Sequence, residues 1–211
     1  MSRSTLIVLK TLVPKTLIWI ACLAPFCWLV WGAFTNNLGP NATGAIAFAT
    51  GRTTLRLLAI TLAISPLRRL LPRLSWLIKF RRPLGLFAFF YATLHMLTWV
   101  ALYNSFDLHA MLADVARRRY ITAGVAAYLL LLPLALTSTT WAIRKLGGKN
   151  WNRLHMLIYV AALCGLAHYW WQMKPGVLTP LAMTVVIAAL LLARPILAWL
   201  QRRKAQTKVA A

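Results

Sequence analysis

Six long apolar blocks dominate this chain and restrict it to a membrane-embedded fold. They cover about residues 17–35, 53–70, 84–103, 121–139, 154–173 and 177–199. A helix needs about 20 mostly apolar residues to span a bilayer, and each block has roughly that length. The mean hydropathy of +0.68 over 211 residues is too high for an ordinary soluble domain. We therefore predict an all-α membrane protein, a six-transmembrane-helix bundle that forms a single domain over residues 1–211.

The first block begins after a basic N-terminal tail, as a signal peptide would. Its apolar run, residues 17–34, has the length of a membrane span, and no convincing cleavage site follows it. We expect it to be retained as the first helix. No internal repeat, low-complexity stretch or long linker is evident in the residues.

Basic residues are concentrated on one side of the predicted bundle. The N-terminal tail, the second and fourth loops and the C-terminal end together contain 18 of the 24 lysines and arginines. Loops rich in lysine and arginine stay in the cytoplasm, so we expect both termini to be cytoplasmic. In a soluble protein the net charge of +22 would suggest nucleic-acid binding. Here the charges flank apolar blocks, so we expect a lipid environment and no nucleic acid.

Few side chains in this chain can perform acid–base or thiol chemistry. Asp107 and Asp114 are the only acidic residues, which argues against carboxylate-pair catalysis and carboxylate metal cages. Cys22, Cys27 and Cys164 form no C-x-x-C motif and lie in apolar blocks. Buried, unreactive thiols are the expected outcome.

Two histidines lie deep inside apolar blocks at matching depth. His95 follows Pro83 by 12 residues and His168 follows Leu154 by 14 residues, which places them roughly 18 and 21 Å into the third and fifth helices. Ionisable residues within membrane spans are rare and usually functional. The pair favours ligation of one haem iron by two imidazoles, with His95 and His168 as metal ligands. The alternative is that each histidine only bonds a neighbouring helix.

A third histidine, His155, lies at the cytoplasmic mouth of the fifth helix. It would point roughly 140° away from His168 on an ideal helix, so the two would not share a face. His155 is a candidate ligand of a second haem or a contact of another cofactor. Arg81 and Arg82 occupy the equivalent depth on the third helix, which leaves a second haem without an evident second ligand.

Several arginines are candidates for binding anionic groups. Arg52 and Arg56 are one turn apart at the outer mouth of the second helix, within reach of the propionates of a haem held by His95. The alternative is that both reach out to the membrane interface. Arg117 to Arg119 form an outer basic patch that could dock an acidic partner or simply begin a solvated helix.

Three segments carry a resemblance to a known family. They are GRTTLRLLAITLAISPLRRL, RRPLGLFAFFYATLHMLTWV and LALTSTTWAIRKLGGKNWNRLHMLIYVAALCGLAHYWW. In order and in overall length they resemble the MsrQ (YedZ) family, the haem-binding membrane subunits of bacterial protein-methionine-sulfoxide reductases. That family is part of the ferric-reductase-like transmembrane group.

The resemblance implies a non-catalytic electron-transfer subunit in the bacterial inner membrane. Electrons from the quinol pool or a cytoplasmic flavin reductase would pass through haem b to MsrP, a periplasmic molybdopterin subunit that repairs oxidised methionine in proteins. His95 and His168 match the family's histidines in the third and fifth helices, and His155 matches its additional histidine. The family is also described as binding FMN, whose phosphate could use the basic loop from Arg144 to Arg153, although no glycine-rich phosphate loop is present.

Two departures from the wider group bear on the cofactors. The third helix has no second histidine, so one haem b is expected rather than two. The chain ends after the sixth span without a flavin and nicotinamide domain, so we expect a separate electron donor. The rival functions are a small transporter or channel that uses the histidines without haem and a scaffold that tethers a soluble enzyme.

Overall fold

The computed structural model describes the backbone of residues 3–173 and 178–210 and the side chains of 14–173, 178–200, 202, 203 and 206. Within these residues the chain contains only helices and their connections. The α-helices are α1 (Arg3–Phe34), α2 (Ala42–Leu70), α3 (Arg81–Leu97), α4 (Leu108–Arg117), α5 (Arg119–Leu136), α6 (Thr140–Leu154), α7 (Leu157–Gln172) and α8 (Thr179–Ala210). A 3₁₀ helix (Pro72–Phe80) precedes α3, and a π-helix (Thr98–Tyr103) follows it.

Five stretches are long and apolar enough to cross a membrane. They are Pro14–Phe34, Ala42–Leu70, Pro72–Tyr103, Arg119–Leu136 and Thr179–Leu200. A sixth span results if α6 and α7, which are bent by 44° at their junction, count as one broken span. The predicted all-α, multi-pass membrane architecture is confirmed in this form.

The second helix extends well beyond its predicted start. It begins at Ala42 rather than at 53, because the Asn41 side chain accepts a hydrogen bond from the Gly44 amide at 2.8 Å and caps the first turn. The alanine- and glycine-rich residues that follow are only weakly apolar, so hydropathy alone gives them little weight. The predicted start of the last span at residue 177 lies outside the described residues.

The core forms around α2, which lies between the other helices. α2 packs extensively on α3 and also on α8, and α5 packs extensively on α7. Buried residues of α2, α3 and α5 share one apolar cluster, in which Ala88 and Tyr91 are fully inaccessible to solvent. A second cluster joins α2 to α7 and α8 through residues such as Leu62 and Ile187. These two clusters fix the four helices that surround the site.

Tyr91 attaches α1 to this core. Its hydroxyl donates to the Cys22 carbonyl at 2.6 Å and accepts from the Phe26 amide at 3.0 Å. Those two backbone groups pair with each other in a regular α-helix, and Pro25 lies between them. The tyrosine therefore completes the backbone hydrogen bonding of α1 where the proline interrupts it.

The main irregularity of the helices lies within α6, ahead of the turn that leads to α7. Gly147 adopts a left-handed conformation (φ 74°, ψ 148°) inside α6 and breaks its helical path. α6 carries exposed basic residues, among them Arg144 and Lys149. This end of the bundle, which also contains the C-terminal end of α2 and the start of α3, is called the basic end below.

Candidate functional site

The structure brings the two intramembrane histidines close together. His95 from α3 and His168 from α7 have ring centroids 5.7 Å apart, with the ring planes at 82°. Bonds from imidazole nitrogen to a first-row metal are about 2 Å long, which puts two ring centres on the order of 6 Å apart when both bind one ion. The spacing of this pair therefore suits two axial ligands of a single metal.

Backbone carbonyls determine which nitrogen of each ring is available. His95 Nδ1 lies 2.9 Å from the Ala47 carbonyl oxygen, and His168 Nδ1 lies 2.6 Å from that of Tyr120. A carbonyl oxygen only accepts hydrogen bonds, so each Nδ1 carries the hydrogen. Each neutral ring then presents the lone pair of Nε2 to a ligand, the arrangement typical of metal-binding histidine.

Two glycines make room for the rings against the neighbouring helices. A Cβ atom at Gly51 of α2 would lie 3.0 Å from Cε1 of His95. A Cβ atom at Gly124 of α5 would lie 2.8 Å from Nδ1 of His168. The contact at Gly124 is closer than real Cβ atoms approach, and the contact at Gly51 is tighter than most, so a larger residue at either position would push against the ring.

The two histidines are held in the same way by two helix pairs. The interval from carbonyl to histidine is 48 residues in both, from Ala47 to His95 and from Tyr120 to His168. Gly51 and Gly124 precede their histidines by equal intervals as well. The α2–α3 pair and the α5–α7 pair thus form matching halves of one site, although no repeat is evident in the residue types.

A cavity of about 410 Å³ adjoins both imidazoles. Its inner part is apolar, with Leu58, Leu131 and Ala161 among the lining residues. Its mouth is polar and includes Arg52 and Asp114. Cavities of this size with an apolar wall and a few polar groups bind small molecules and cofactors.

Arg52 and Arg56, predicted together, have different surroundings. Arg52 lines the mouth of the histidine cavity, and its guanidinium lies 5.8 Å from the centre of the Phe48 ring. Arg56 is exposed and is not among the residues that line the cavity. With α2 starting at Ala42, Arg56 lies well inside the helix rather than at its outer mouth.

Residues of the outer basic patch also reach the site. Arg118 lines the cavity mouth and forms an ion pair with Asp114 at 3.3 Å. The Trp99 indole nitrogen donates to the same carboxylate at 3.3 Å. The carboxylate therefore links the π-helix that follows His95 to the start of α5. Asp114 and Arg118 are one helical turn apart, but no pattern in the residue types marks Trp99 as the third member of this link.

His155 lies in a different cavity, at the basic end. Its ring stacks on Trp151 with centroids 3.8 Å apart, and its Nδ1 lies 3.0 Å from the Trp151 carbonyl oxygen. The cavity it lines has a volume of about 430 Å³ and contains Arg81 but neither His95 nor His168. The structure thus separates His155 from the intramembrane pair.

The ligand set of the histidine cavity fits a metalloporphyrin better than a bare ion. Within the described part of the chain, no three His, Cys, Asp or Glu side chains are grouped so that they could hold a metal. The two imidazoles could hold the iron of a metalloporphyrin, which takes its other ligands from the macrocycle. The fold and this site define a multi-pass membrane protein with a cavity that adjoins a pair of histidines.

Comparison with known proteins places the chain within a family. Residues 50–166 match the ferric reductase like transmembrane component family. The chain is 47% identical to the protein-methionine-sulfoxide reductase heme-binding subunit MsrQ of Herminiimonas arsenicoxydans, over 90% of this chain and 88% of that protein. It is 39% identical to the MsrQ of Caulobacter vibrioides, with the same two coverages of 90% and 88%. No solved structure matches the chain significantly.

The chain therefore belongs to the MsrQ family of ferric-reductase-like transmembrane proteins. The resemblance predicted from the three segments is confirmed, and so is a membrane protein with several spans. The family match covers α3, α5 and most of α2 and α7; it includes His95 and Tyr120 and ends two residues before His168.

Proposed function

We propose that this protein is a non-catalytic electron-transfer subunit that binds one haem b between His95 and His168. The observation that carries the proposal is the facing pair of imidazoles, each with Nδ1 bonded to a backbone carbonyl and Nε2 left for a ligand. The relatives named as haem-binding subunits support the same cofactor. A haem bound in this way supplies an iron that accepts and releases one electron.

The protein itself contributes position, burial and charge. The carbonyls of Ala47 and Tyr120 orient the imidazoles, and the apolar wall excludes water from the ring faces. Arg52 and Arg118 provide positive charge at the mouth, where they suit the carboxylates of a haem edge. Arg52 is thus a proposed cofactor-binding residue that lines the cavity; Arg56 does not line it, and its role stays a prediction.

We infer the direction of electron transfer and the partner proteins from the family resemblance and the distribution of basic residues. We propose that both termini face the cytoplasm of a bacterial inner membrane, which puts the basic end inside and the mouth of the histidine cavity on the periplasmic side. Quinol or a flavin reductase would supply electrons, and a periplasmic molybdopterin subunit, MsrP, would receive them for repair of oxidised methionine. The names of the relatives support membership of a methionine-sulfoxide reductase system.

We propose FMN binding and a cofactor contact at His155 as separate features of the basic end. FMN binding rests on the resemblance, with Arg144 to Arg153 as the basic segment for its phosphate. His155 is a candidate contact for a cofactor at the basic end, where Arg81 and not a second histidine lies beside it. We therefore propose a single haem.

A reduced-minus-oxidised absorption spectrum of the detergent-purified protein tests the central proposal. We expect b-type bands in the wild type and their loss in His95→Ala and His168→Ala. His109→Ala is the matched control, because His109 is exposed on α4 and should leave the spectrum unchanged. A colourless wild type produced with ample haem would instead support a transporter, channel or scaffold.

A further inference from the structure

Four arginines surround the cavity at the basic end. Arg68 and Arg69 come from the end of α2, Arg81 from the start of α3 and Arg194 from α8. Arg81 and Arg194 are partly buried, while Arg68 and Arg69 are exposed. Two consecutive helices and a third that is distant in sequence thus bring like charges to one space of about 430 Å³.

No acidic side chain of the chain is available to balance these charges. The sequence contains only Asp107 and Asp114. Asp107 caps α4 by accepting hydrogen bonds from two backbone amides, and Asp114 pairs with Arg118 at the mouth of the histidine cavity. Both therefore lie at the end of the bundle opposite the arginines. A cluster of unpaired guanidinium groups is costly to bring together unless an anion binds among them.

Specific hydrogen bonds hold the guanidinium of Arg194 in place beside the cavity. One terminal nitrogen donates to the Tyr159 hydroxyl, and the other donates to the Leu62 carbonyl at 3.1 Å. The remaining nitrogen, Nε, is buried and has no partner in the described structure. Buried polar atoms are almost always hydrogen-bonded, so this unpartnered N–H donor indicates a missing acceptor.

We propose that this arginine cavity binds a phosphate group. Guanidinium forks match the oxygens of phosphate, and one phosphate offers enough acceptors for several arginines at once, which a carboxylate does not. The cavity lies where a membrane span meets the interface, since Arg194 is near the end of the Thr179–Leu200 span. Basic pockets between transmembrane helices at this level bind anionic lipid headgroups. The phosphate can therefore belong to a phospholipid or to a soluble phosphorylated compound, and binding does not require haem.

Thermal unfolding of the full-length, delipidated protein in maltoside detergent tests this proposal with paired probes. Short-chain phosphatidylglycerol is compared with short-chain diacylglycerol, FMN with riboflavin, and sodium phosphate with sodium chloride at equal ionic strength. We expect at least one phosphate-bearing probe to raise the unfolding midpoint while its partner does not, because a ligand stabilises the state that binds it. A response to the lipid alone identifies a headgroup site, and a response to FMN or phosphate identifies a soluble ligand.

Variants show whether the arginines are responsible. Arg68→Gln and Arg81→Gln should each weaken the apparent affinity by about tenfold or more, as expected for loss of a charge-assisted hydrogen bond. Arg68→Lys, which retains the charge, should lose less. Arg73→Gln is the matched control, because Arg73 is exposed on the 3₁₀ helix at the same end and does not line the cavity. The proposal fails if no phosphate-bearing probe exceeds its partner, or if Arg73→Gln weakens binding as much as Arg68→Gln.

Discussion

The imidazole of His168 donates to the carbonyl of Tyr120 across 2.6 Å, from one helix to its neighbour. The contact links α7 to the first turn of α5, the two helices that form one half of the site. It fixes both the tautomer and the orientation of the ring before any ligand arrives. The energetic benefit for binding is preorganisation, because the ring loses little freedom when its other nitrogen binds metal.

Gly124→Ala should disturb this arrangement. The new methyl group would lie 2.8 Å from Nδ1 of His168, so the ring must move and its bond to Tyr120 must lengthen. We expect a lower haem content per protein and a broadened or high-spin absorption spectrum. Gly148→Ala is the matched control, since nothing lies within 4 Å of a Cβ atom there. Equal haem content and spectra in the two variants would show that Gly124 does not constrain the ring.

Arg52→Gln and Arg56→Gln should differ, although the two arginines are one helical turn apart. Arg52 lines the histidine cavity and Arg56 does not. Loss of the Arg52 charge should speed haem transfer to an external acceptor such as apomyoglobin by about tenfold. That factor corresponds to the free energy of one charge-assisted hydrogen bond. The rate for Arg56→Gln should match the wild type. A larger effect at Arg56 would contradict the assignment.

Asp114→Asn should raise the midpoint potential of the bound haem. The carboxylate lies at the cavity mouth and stabilises the oxidised, more positive iron, so its removal makes reduction easier. A shift of roughly tens of millivolts is expected for one charge in a partly solvated site. Asp107→Asn is the control, because it removes the only other acidic charge from an exposed position. Redox titration of both variants decides whether the effect is specific to the site.

Tyr91→Phe should loosen the attachment of α1. Without the hydroxyl, the Cys22 carbonyl and the Phe26 amide lose their buried partner. Leaving such groups unsatisfied costs about 1–3 kcal/mol, so the unfolding midpoint should fall. Tyr103→Phe serves for comparison, because Tyr103 is 56% exposed. If both variants unfold at the wild-type temperature, the tyrosine bridge contributes nothing measurable.

Hydropathy and residue depth predicted the main architecture. Apolar length identifies the spans because a bilayer requires it, and helical rise predicts His95 and His168 at one level. The predicted angle between His155 and His168 assumes one continuous helix, whereas His155 lies at the C-terminal cap of α6, before α7 begins, and lines a separate cavity.

Other features had no visible signal in the residue types. Every residue has a carbonyl, so nothing marks Ala47 and Tyr120 as partners of the histidines. Gly51 and Gly124 are two of the chain's 10 glycines and look like any others in a membrane helix. Only the equal intervals that separate the glycines from the histidines could have revealed the two halves in advance.

The matched halves also determine when the site can be completed during synthesis. The α2–α3 pair, with its imidazole already anchored, leaves the ribosome well before α7 is made. A nascent chain that ends at α5 offers only one of the two imidazoles and part of the cavity wall. We therefore expect cofactor capture to be a late step of membrane insertion, so that truncated chains without α7 retain less haem than the full chain.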